Sequence, residues 1–549
     1  MKIRNSTERI TPVFRPQQRE KAAPCQVGCL NCGDVRGWIG AVAQRKKAGI
    51  SRREAYARAW CLITEVNPFP ATLGRICTHP CENHCNRADH DEPLAINAME
   101  RFLGDYAIRQ GLSFSKVTDG QEKERIAVVG AGPSGLSFAY QMSRLGYQVT
   151  VYDARQKAGG MLRYGVPDFR LPPDVLDAEI CRIIDLGINL KLNTRVGKDI
   201  SLDELRSRYD RVFLGIGAEK GRSLPIPGAN GRSVWLGNDY LARINGGEAI
   251  DAGRQVIVIG GGNTAIDAAR CARRGGADVN VLYRRTRHEM PALEKEVVDA
   301  LEEGIKISFL SMGVEIIRGN EGQLTGVIVQ RTSLGQPDAS GRRKPLPVPG
   351  TEQEIPAATV ILAISQTPVL EGLETLENHN GWLVAGPEGV CQGDVLTGGD
   401  ALGLGVAGNA IAQGRRAAEA LHARLRGLEC PNISETDRTE VGSDHILFES
   451  KPGCRATQTD KLPARDRIGS GMQEVANTIT EEKFLNEIER CYSCGSCSGC
   501  EQCFMYCTEG CFSRVEEPGP GNYFRLNTDT CHECGKCIEV CPGDYLEIR

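Results

Sequence analysis

Residues 491–511, CYSCGSCSGCEQCFMYCTEGC, carry seven cysteines separated by two, two, two, two, three and three residues. A thiol at nearly every third position can serve disulfides, zinc or iron–sulfur clusters. Of the 23 cysteines, seven precede residue 90 and eleven follow residue 490. Cys181, Cys271, Cys391, Cys430 and Cys454 alone occupy the long middle. The opening segment, MKIRNSTERITPVFRP, lacks the hydrophobic stretch of a signal peptide. No apolar run approaches the length of a membrane span. A cytoplasmic location is the expectation, and that compartment keeps thiols reduced, which disfavours disulfides.

Residues 531–542, CHECGKCIEVCP, read C-x-x-C-x-x-C-x-x-x-C-P. Bacterial two-cluster ferredoxins use this run, with the fourth cysteine serving the other cluster. Cys497, Cys500, Cys503 and Cys507 repeat the frame. Crossing the fourth ligands predicts one [4Fe-4S] cluster on Cys497, Cys500, Cys503 and Cys541. A second falls on Cys531, Cys534, Cys537 and Cys507. Thr508 stands where proline usually follows the fourth cysteine. Cys491, Cys494 and Cys511 are left over. A register begun at Cys491 finds no cysteine where its fourth ligand is needed.

The N-terminal thiols lie in PCQVGCLNCGDVRGW (24–38) and NPFPATLGRICTHPCENHCNR (67–87). Structural zinc would usually show paired C-x-x-C knuckles, which this region lacks. Thiolates gathered from separated segments of a small helical domain can instead hold a cubane cluster. Cys61, within the apolar AWCLI, is expected in the core.

The elements that must position these centres occupy the middle. Residues 124–154 run from the apolar IAVVG into G-x-G-x-x-G at Gly130, Gly132 and Gly135, then a helical pattern, then VTVYD ending on Asp153. Such glycines let a pyrophosphate sit at the helix N-terminus, while the acid accepts from ribose hydroxyls. Residues 254–285 repeat the unit with Gly260, Gly262 and Ala265, but the second strand ends on Arg284 and Arg285. Guanidinium groups there suit a 2′-phosphate, so the first site fits FAD and the second NADP(H), with NAD(H) the alternative. DVLTGGDALGLGVAGNAIAQGRRAAEA (394–420) places Gly399 and Asp400 before a small-residue helix starting near Ala407. The amides at that helix N-terminus can face an electron-rich ring. VFLGIGA (212–218) and TVILAISQTP (359–368), which contains Ala363 and Ser365, read as buried strands ending at the cofactors.

GAGPSGL, GGMLRYGVPDFRLP (159–172), GGGNTAID, YRRTRHEMPALEKE and GGDALG together resemble the glutamate synthase small-subunit family over roughly residues 20–430. The resemblance implies an FAD domain interrupted by an NAD(P) domain. It adds Pro133, Ser134, Gly160, Met161, Arg170, Asn263 and Thr264 as cofactor-binding candidates. Ser365 replaces a glycine usual near the nicotinamide. The resemblance also implies a cluster beside the flavin on Cys29, Cys77 and Cys81, with Glu100 at the position of a side-chain oxygen ligand. A second N-terminal cluster is left open, because two cysteines expected just upstream of Cys25 are missing. Cys25 and Cys85 stand at family positions, and Cys32 is an added candidate. Thioredoxin reductases share the two-domain plan but need a C-x-x-C in the second domain, and none surrounds Cys271.

The expected class is therefore α/β. Residues 1–115 form a helical iron–sulfur domain, 116–244 and 385–430 an FAD domain, and 245–384 an NAD(P) domain. Residues 431–480 are a connector and 481–549 an α+β ferredoxin-like domain. HILFESKP (445–452) is a candidate strand within the connector. With 41% hydrophobic and 25% charged residues and a net charge of −4, nothing favours nucleic acid or an anionic membrane as partner.

A pyridine nucleotide delivers two electrons together, clusters accept one each, and flavin converts between them. The expected role is electron passage between NAD(P)H and a redox partner subunit or ferredoxin within a hetero-oligomer, with no side-chain acid or base. Lys295, Glu289 and Glu294 are expected as salt-bridged helix residues. The resemblance offers a sulfite reductase or a 2-oxoacid oxidoreductase as partner. A glutamate synthase small subunit is one alternative, and an iron–sulfur scaffold with relic nucleotide sites is another.

Overall fold

The computed structural model describes residues 14–118, 120–338, 341–430, 439–469 and 471–548. Its centre is two sheets built from the Val/Ile-rich runs flanking each glycine turn. The first has strand order Val390–Gln392, Val395–Thr397, Arg211–Leu214, Arg125–Val129, Gln148–Tyr152, Asn189–Lys191. All its pairings are parallel except that between the first two strands. The second is wholly parallel: Lys306–Phe309, Asp278–Tyr283, Gln255–Ile259, Thr359–Leu362, Val234–Leu236. Continuous apolar runs such as Thr359–Leu362, buried at every position, suit strands covered on both faces. An antiparallel sheet, Ser311–Arg318 with Leu324–Pro337, contributes Ile316, Val327 and Val329 to one cover of the second sheet. Val234–Leu236 enters this sheet before residue 245. Leu373, Leu376 and Leu383 return to the first domain's core before residue 385. Both crossings thus fall before residues 245 and 385, the bounds expected for the domains.

The N-terminal domain is helical, as expected, but its core is not its own. Trp38, Ile39, Tyr56 and Phe102 pack with Phe484 and Ile488 of the C-terminal helix Glu481–Glu489. Phe102 and Phe484 stack at 4.1 Å between ring centroids. Cys61 is exposed, a correction to its expected place in the core. The helix Arg52–Thr64 buries Ala55, Tyr56, Ala59, Trp60 and Ile63, a stripe at helical spacing that turns Cys61 outward. Glu179 of the flavin-side domain ties this unit down, accepting from the amides of Ala71 (2.7 Å) and Thr72 (2.9 Å) at the start of helix Pro70–Ile76. Those amides have no partner within their own helix. Burial pushes the Glu179 carboxyl up to about 7.

The ends of the described chain meet. Pro16–Gln18 pairs antiparallel with Leu546–Ile548. The C-terminal unit adds the hairpin Phe512–Gly519/Asn522–Leu526 and short helices Gln502–Tyr506 and Lys536–Glu539. Within the connector, HILFESKP forms no strand. It lies in turns Ser443–His445 and Phe448–Ser450, and the Leu447 amide donates to the Pro542 carbonyl, so no ladder is left to make. Further on, the Val475 amide donates to the Phe169 carbonyl (2.9 Å), joining the connector to the second nucleotide domain's core. Residues 431–438 and 470 of the connector lie outside the described residues.

Candidate functional site

Both glycine turns open onto one cleft of about 640 Å³. Gly130 has φ +100°, and a Cβ there would overlap the Gly215 carbonyl oxygen. A Cβ on Gly135 would strike the Gly130 carbonyl oxygen, so helix Pro133–Arg144 can approach strand Arg125–Val129 only through glycine. Gly160 lies against Gly132, where a Cβ would stand 2.7 Å from the Gly132 Cα. Gly130, Gly132, Pro133, Ser134, Asp153, Gly160, Met161 and Arg170 line the cleft. The Asp153 carboxylate accepts from the amides of Ala131 and Arg155, both at 2.7 Å. Burial raises its pKa.

Across the cleft, Asp400 accepts from the Gly405 amide at 3.0 Å, and burial holds its carboxyl up to about 6. Helix Ala407–Arg426 follows, and Gly414 brings it onto the Ser134 carbonyl. The Ser134 hydroxyl is buried without a hydrogen-bond partner. An orphaned donor beside the helix N-terminus fits a phosphate-bearing cofactor.

From the second motif, Gly262, Asn263 and Thr264 reach the cleft wall. Asn263 Oδ1 accepts from the Leu293 amide (3.0 Å). Gly135, Gly399, Gly260, Ala265, Ala363, Ser365, Arg284 and Arg285 stand off the lining. Gly260, at φ +151°, packs on the Ala363 carbonyl, and the Ser365 carbonyl accepts from the Arg222 amide (3.0 Å). The two arginines part company. Arg285 is buried, donating to Asp338 and to the Arg343 carbonyl (both 2.7 Å), whereas Arg284 is exposed. Arg170 pairs with Asp267 of helix Asn263–Arg274 at 2.7 Å, joining the two nucleotide domains through a buried ion pair.

Glu289 pairs with Arg343 and Glu294 with Arg287. Lys295 is half-buried beside Glu296 and Arg170, and burial lowers its pKa. Motif reading missed Gln366, whose amide donates to Asn238 Oδ1 (2.8 Å) on the cleft wall. It also missed Arg155 and Arg195, which share Glu219 there. Gln366 lies in TVILAISQTP, already read as ending at the cofactors, and Arg155 lies two residues beyond Asp153, whereas Arg195 carried no such signal.

A second cavity, about 50 Å³, is lined by Cys29, Cys77, Cys81 and Glu100 together with Asn31, Asn67 and Gly408. Burial pushes Cys77 to about 12 and raises Cys29 and Cys81, and it holds Glu100 up to about 8. Glu100 accepts from Asn67 Nδ2 at 2.7 Å. Three thiols and a carboxyl gathered on one buried cavity fit a metal cluster. Gly408 belongs to the helix over the flavin-side cleft, so the two cavities share that helix as a wall. Cys25, Cys32 and Cys85 do not line this cavity. Cys32 is exposed at φ +52°, and Arg416 donates to its sulfur.

A third cavity, about 20 Å³, is lined by Cys497, Cys500, Cys503 and Cys541, the crossed set expected from spacing. Cys507, Cys531 and Cys534 surround Cys537, whose pKa is pushed to about 11 by burial first and by those three next. Cys511 is buried and donates its amide to Cys507 Sγ (3.4 Å). Among the described residues, no three His, Cys, Asp or Glu side chains close around a single ion. No described helix is long and apolar enough to cross a membrane.

Residues 124–414 match the family model for pyridine nucleotide-disulphide oxidoreductases. Residues 17–112 match that for dihydropyrimidine dehydrogenase domain II, 4Fe-4S cluster. The chain is 36% identical to an NADP(+)-dependent formate dehydrogenase subunit beta of Moorella thermoacetica, over 86% of this chain and 70% of that one. It is 38% identical to an NADPH-Fe(3+) oxidoreductase subunit beta of Geobacter sulfurreducens, over 63% of this chain and 51% of the relative. The glutamate synthase [NADPH] small chain of Escherichia coli is 34% identical, over 66% and 81%. The chain thus spans about half the length of one of these relatives. These relatives are named as subunits or chains of larger enzymes. The chain belongs to the pyridine nucleotide-disulphide oxidoreductase family, as an NAD(P)H-dependent FAD and 4Fe-4S electron-transfer oxidoreductase of the glutamate synthase small-subunit type.

Proposed function

We propose that this chain exchanges electrons between NADPH, bound at the second glycine turn, and a partner redox subunit, by way of FAD, a cluster on Cys29, Cys77, Cys81 and Glu100, and the two C-terminal clusters. The carrying observation is the shared wall: helix Ala407–Arg426 lines the nucleotide cleft with Ala407 and Ala410 and the four-ligand cavity with Gly408. Flavin supplies the change from two-electron to one-electron transfer when bound. The chain's own contribution is positional. Gly130 and Gly135 admit the pyrophosphate, Ser134 offers it a free hydroxyl, and Asp153 and Asp400 present acceptors to ribose and ring. Arg284 is the guanidinium left to meet a 2′-phosphate, because Arg285 is already committed to Asp338. The partner is a redox subunit of the same assembly.

Mixing the anaerobic protein with NADPH tests this. The flavin absorbance bleaches first, and cluster electron-paramagnetic signals follow. A flavin that stays oxidised, or clusters that stay oxidised behind a bleached flavin, overturns the proposal. Affinity isolation from native cells without oxygen then identifies the partner.

A further inference from the structure

Two N-terminal thiols, Cys25 and Cys85, and two C-terminal ones, Cys491 and Cys494, belong to none of the three cavities above. The fold brings them together. Cys25, Cys85 and Cys491 all pack on the one helical core. Asn86, next to Cys85, donates its Nδ2 to Cys494 Sγ at 3.7 Å. The Lys21 amide, just before Cys25, donates to the Gly495 carbonyl at 3.0 Å. Gly495 lies so close to Lys21 that a Cβ there would stand 2.8 Å from the Lys21 carbonyl oxygen. The buried Arg36 guanidinium bridges the two segments, donating to the carbonyls of Lys21 (2.7 Å) and Cys494 (2.8 Å).

The Cys491–Cys494 turn also has the backbone of a cluster loop. In the ferredoxin frames, Gly499 and Glu501 follow Cys497 with φ +64° and +68°, and Glu533 and Gly535 follow Cys531 with +58° and +71°. Ser493 and Gly495 follow Cys491 in the same two places with +55° and +71°. Left-handed Ser and Glu are uncommon, so a threefold recurrence marks a shared constraint. In each turn the amide two residues on is aimed at the first sulfur. Ser493 N lies 3.4 Å from Cys491 Sγ, Glu533 N lies 3.4 Å from Cys531 Sγ, and Gly499 does the same for Cys497. Cys85 likewise accepts from the amides of Arg87 and Leu94. Amide donors on the sulfurs are how a protein stabilises a cluster's negative charge.

We propose that Cys25, Cys85, Cys491 and Cys494 together ligate a further [4Fe-4S] cluster, assembled only when the two ends of the chain meet. The pair from residues 491 and 494 replaces the two thiols missing upstream of Cys25. Cations surround the site: Lys451 Nζ donates to the Cys491 carbonyl at 2.6 Å, and the Arg87 guanidinium stacks on Tyr492 at 5.2 Å. Its neighbours on either side give its place. Cys81, on the flavin-side cavity, is among the groups pressing on Cys25, while Cys497, on the ferredoxin cavity, comes three residues after Cys494. The site therefore lies between the two, which makes the path from flavin to ferredoxin unit continuous. This rests on the electron-transfer reading above.

The test compares full-length, anaerobically purified wild type with C491S/C494S for iron, acid-labile sulfide and zinc, and for electron-paramagnetic signals after dithionite reduction. The double variant loses one cluster in four, about a quarter of iron and sulfide together, with one set of spins. Full iron in the variant, or loss of one zinc per chain instead, overturns the assignment. So does an equal iron loss from C32S, which would return the fourth ligand to the N-terminal segment. If the double variant is insoluble, C25S, which leaves the C-terminal run intact, must show the same loss, and full iron there overturns the proposal. Wild-type flavin that NADPH does not bleach would sink the electron-transfer reading without touching the iron count, so the two failures are separable.

Discussion

The turns at Gly130 and Gly260 start from the same backbone and diverge in two places. Both first glycines sit at positive φ against a carbonyl of the neighbouring strand's end, Gly215 in one and Ala363 in the other. The third position differs: Gly135 has no room for a Cβ, whereas the second turn carries Ala265, fully buried. The strand ends differ too, in Asp153 against Arg284 and Arg285. The first glycine is thus a steric necessity in both turns. The third residue sets how closely helix meets strand, and in the proposed function the terminal charge selects the nucleotide.

Substitutions sharpen this comparison in order of effect. Gly130→Ala and Gly260→Ala each force a left-handed alanine into a carbonyl and cost about 3 kcal/mol or more. Gly130→Ala empties the flavin site, read as FAD per chain. Gly135→Ala behaves as severely, while Ala265→Gly costs only about 1 kcal/mol. Equal damage at the two third positions, seen in melting temperature, would erase the distinction between the turns.

Next comes the clamp between the halves. Arg170→Met leaves Asp267 buried and unpaired, and costs about 3–5 kcal/mol of stability by chemical denaturation. Arg284→Ala raises KM for NADPH about ten- to a hundredfold and leaves KM for NADH unchanged. Arg285→Ala instead lowers stability by loosening Asp338, with the ratio of the two KM values kept. The reverse pattern would move the phosphate contact to Arg285.

The smallest effect is in pH. Burial raises the folded-state pKa of Asp153, so its contribution to stability is full while the carboxyl is protonated in both states. That contribution is lost as pH rises from the ordinary carboxylate value through the raised one. Asp153→Asn flattens this part of the stability–pH curve, and an unchanged slope would show that the carboxyl is not desolvated.

Much of this was legible because the candidate residues are near one another in sequence. A glycine turn needs its strand, helix and acid within about 30 residues, and the crossed ferredoxin frames sit in two short runs. Cys29, Cys77, Cys81 and Glu100 followed from family resemblance, and the fold collects them in one cavity. Cys61 went wrong because an apolar neighbourhood in sequence is not a face of a helix. HILFESKP went wrong because alternation cannot say whether a strand edge is available beside it.

The sequence by itself determined the parts: two glycine turns whose second strands end on opposite charges, two cysteine-rich ends and the acids Asp153 and Asp400. These depend on residue type at fixed local spacing, where backbone geometry leaves few alternatives. Only the tertiary structure decided that Arg285 is committed to Asp338 while Arg284 is exposed. It alone put Cys491 and Cys494 beside Cys25 and Cys85. Helix Glu481–Glu489 must bury Phe484 and Ile488, and the N-terminal helices offer the apolar surface that receives them. Hydrophobic burial is not directional and keeps no record of sequence distance, so which thiols become neighbours is settled by packing.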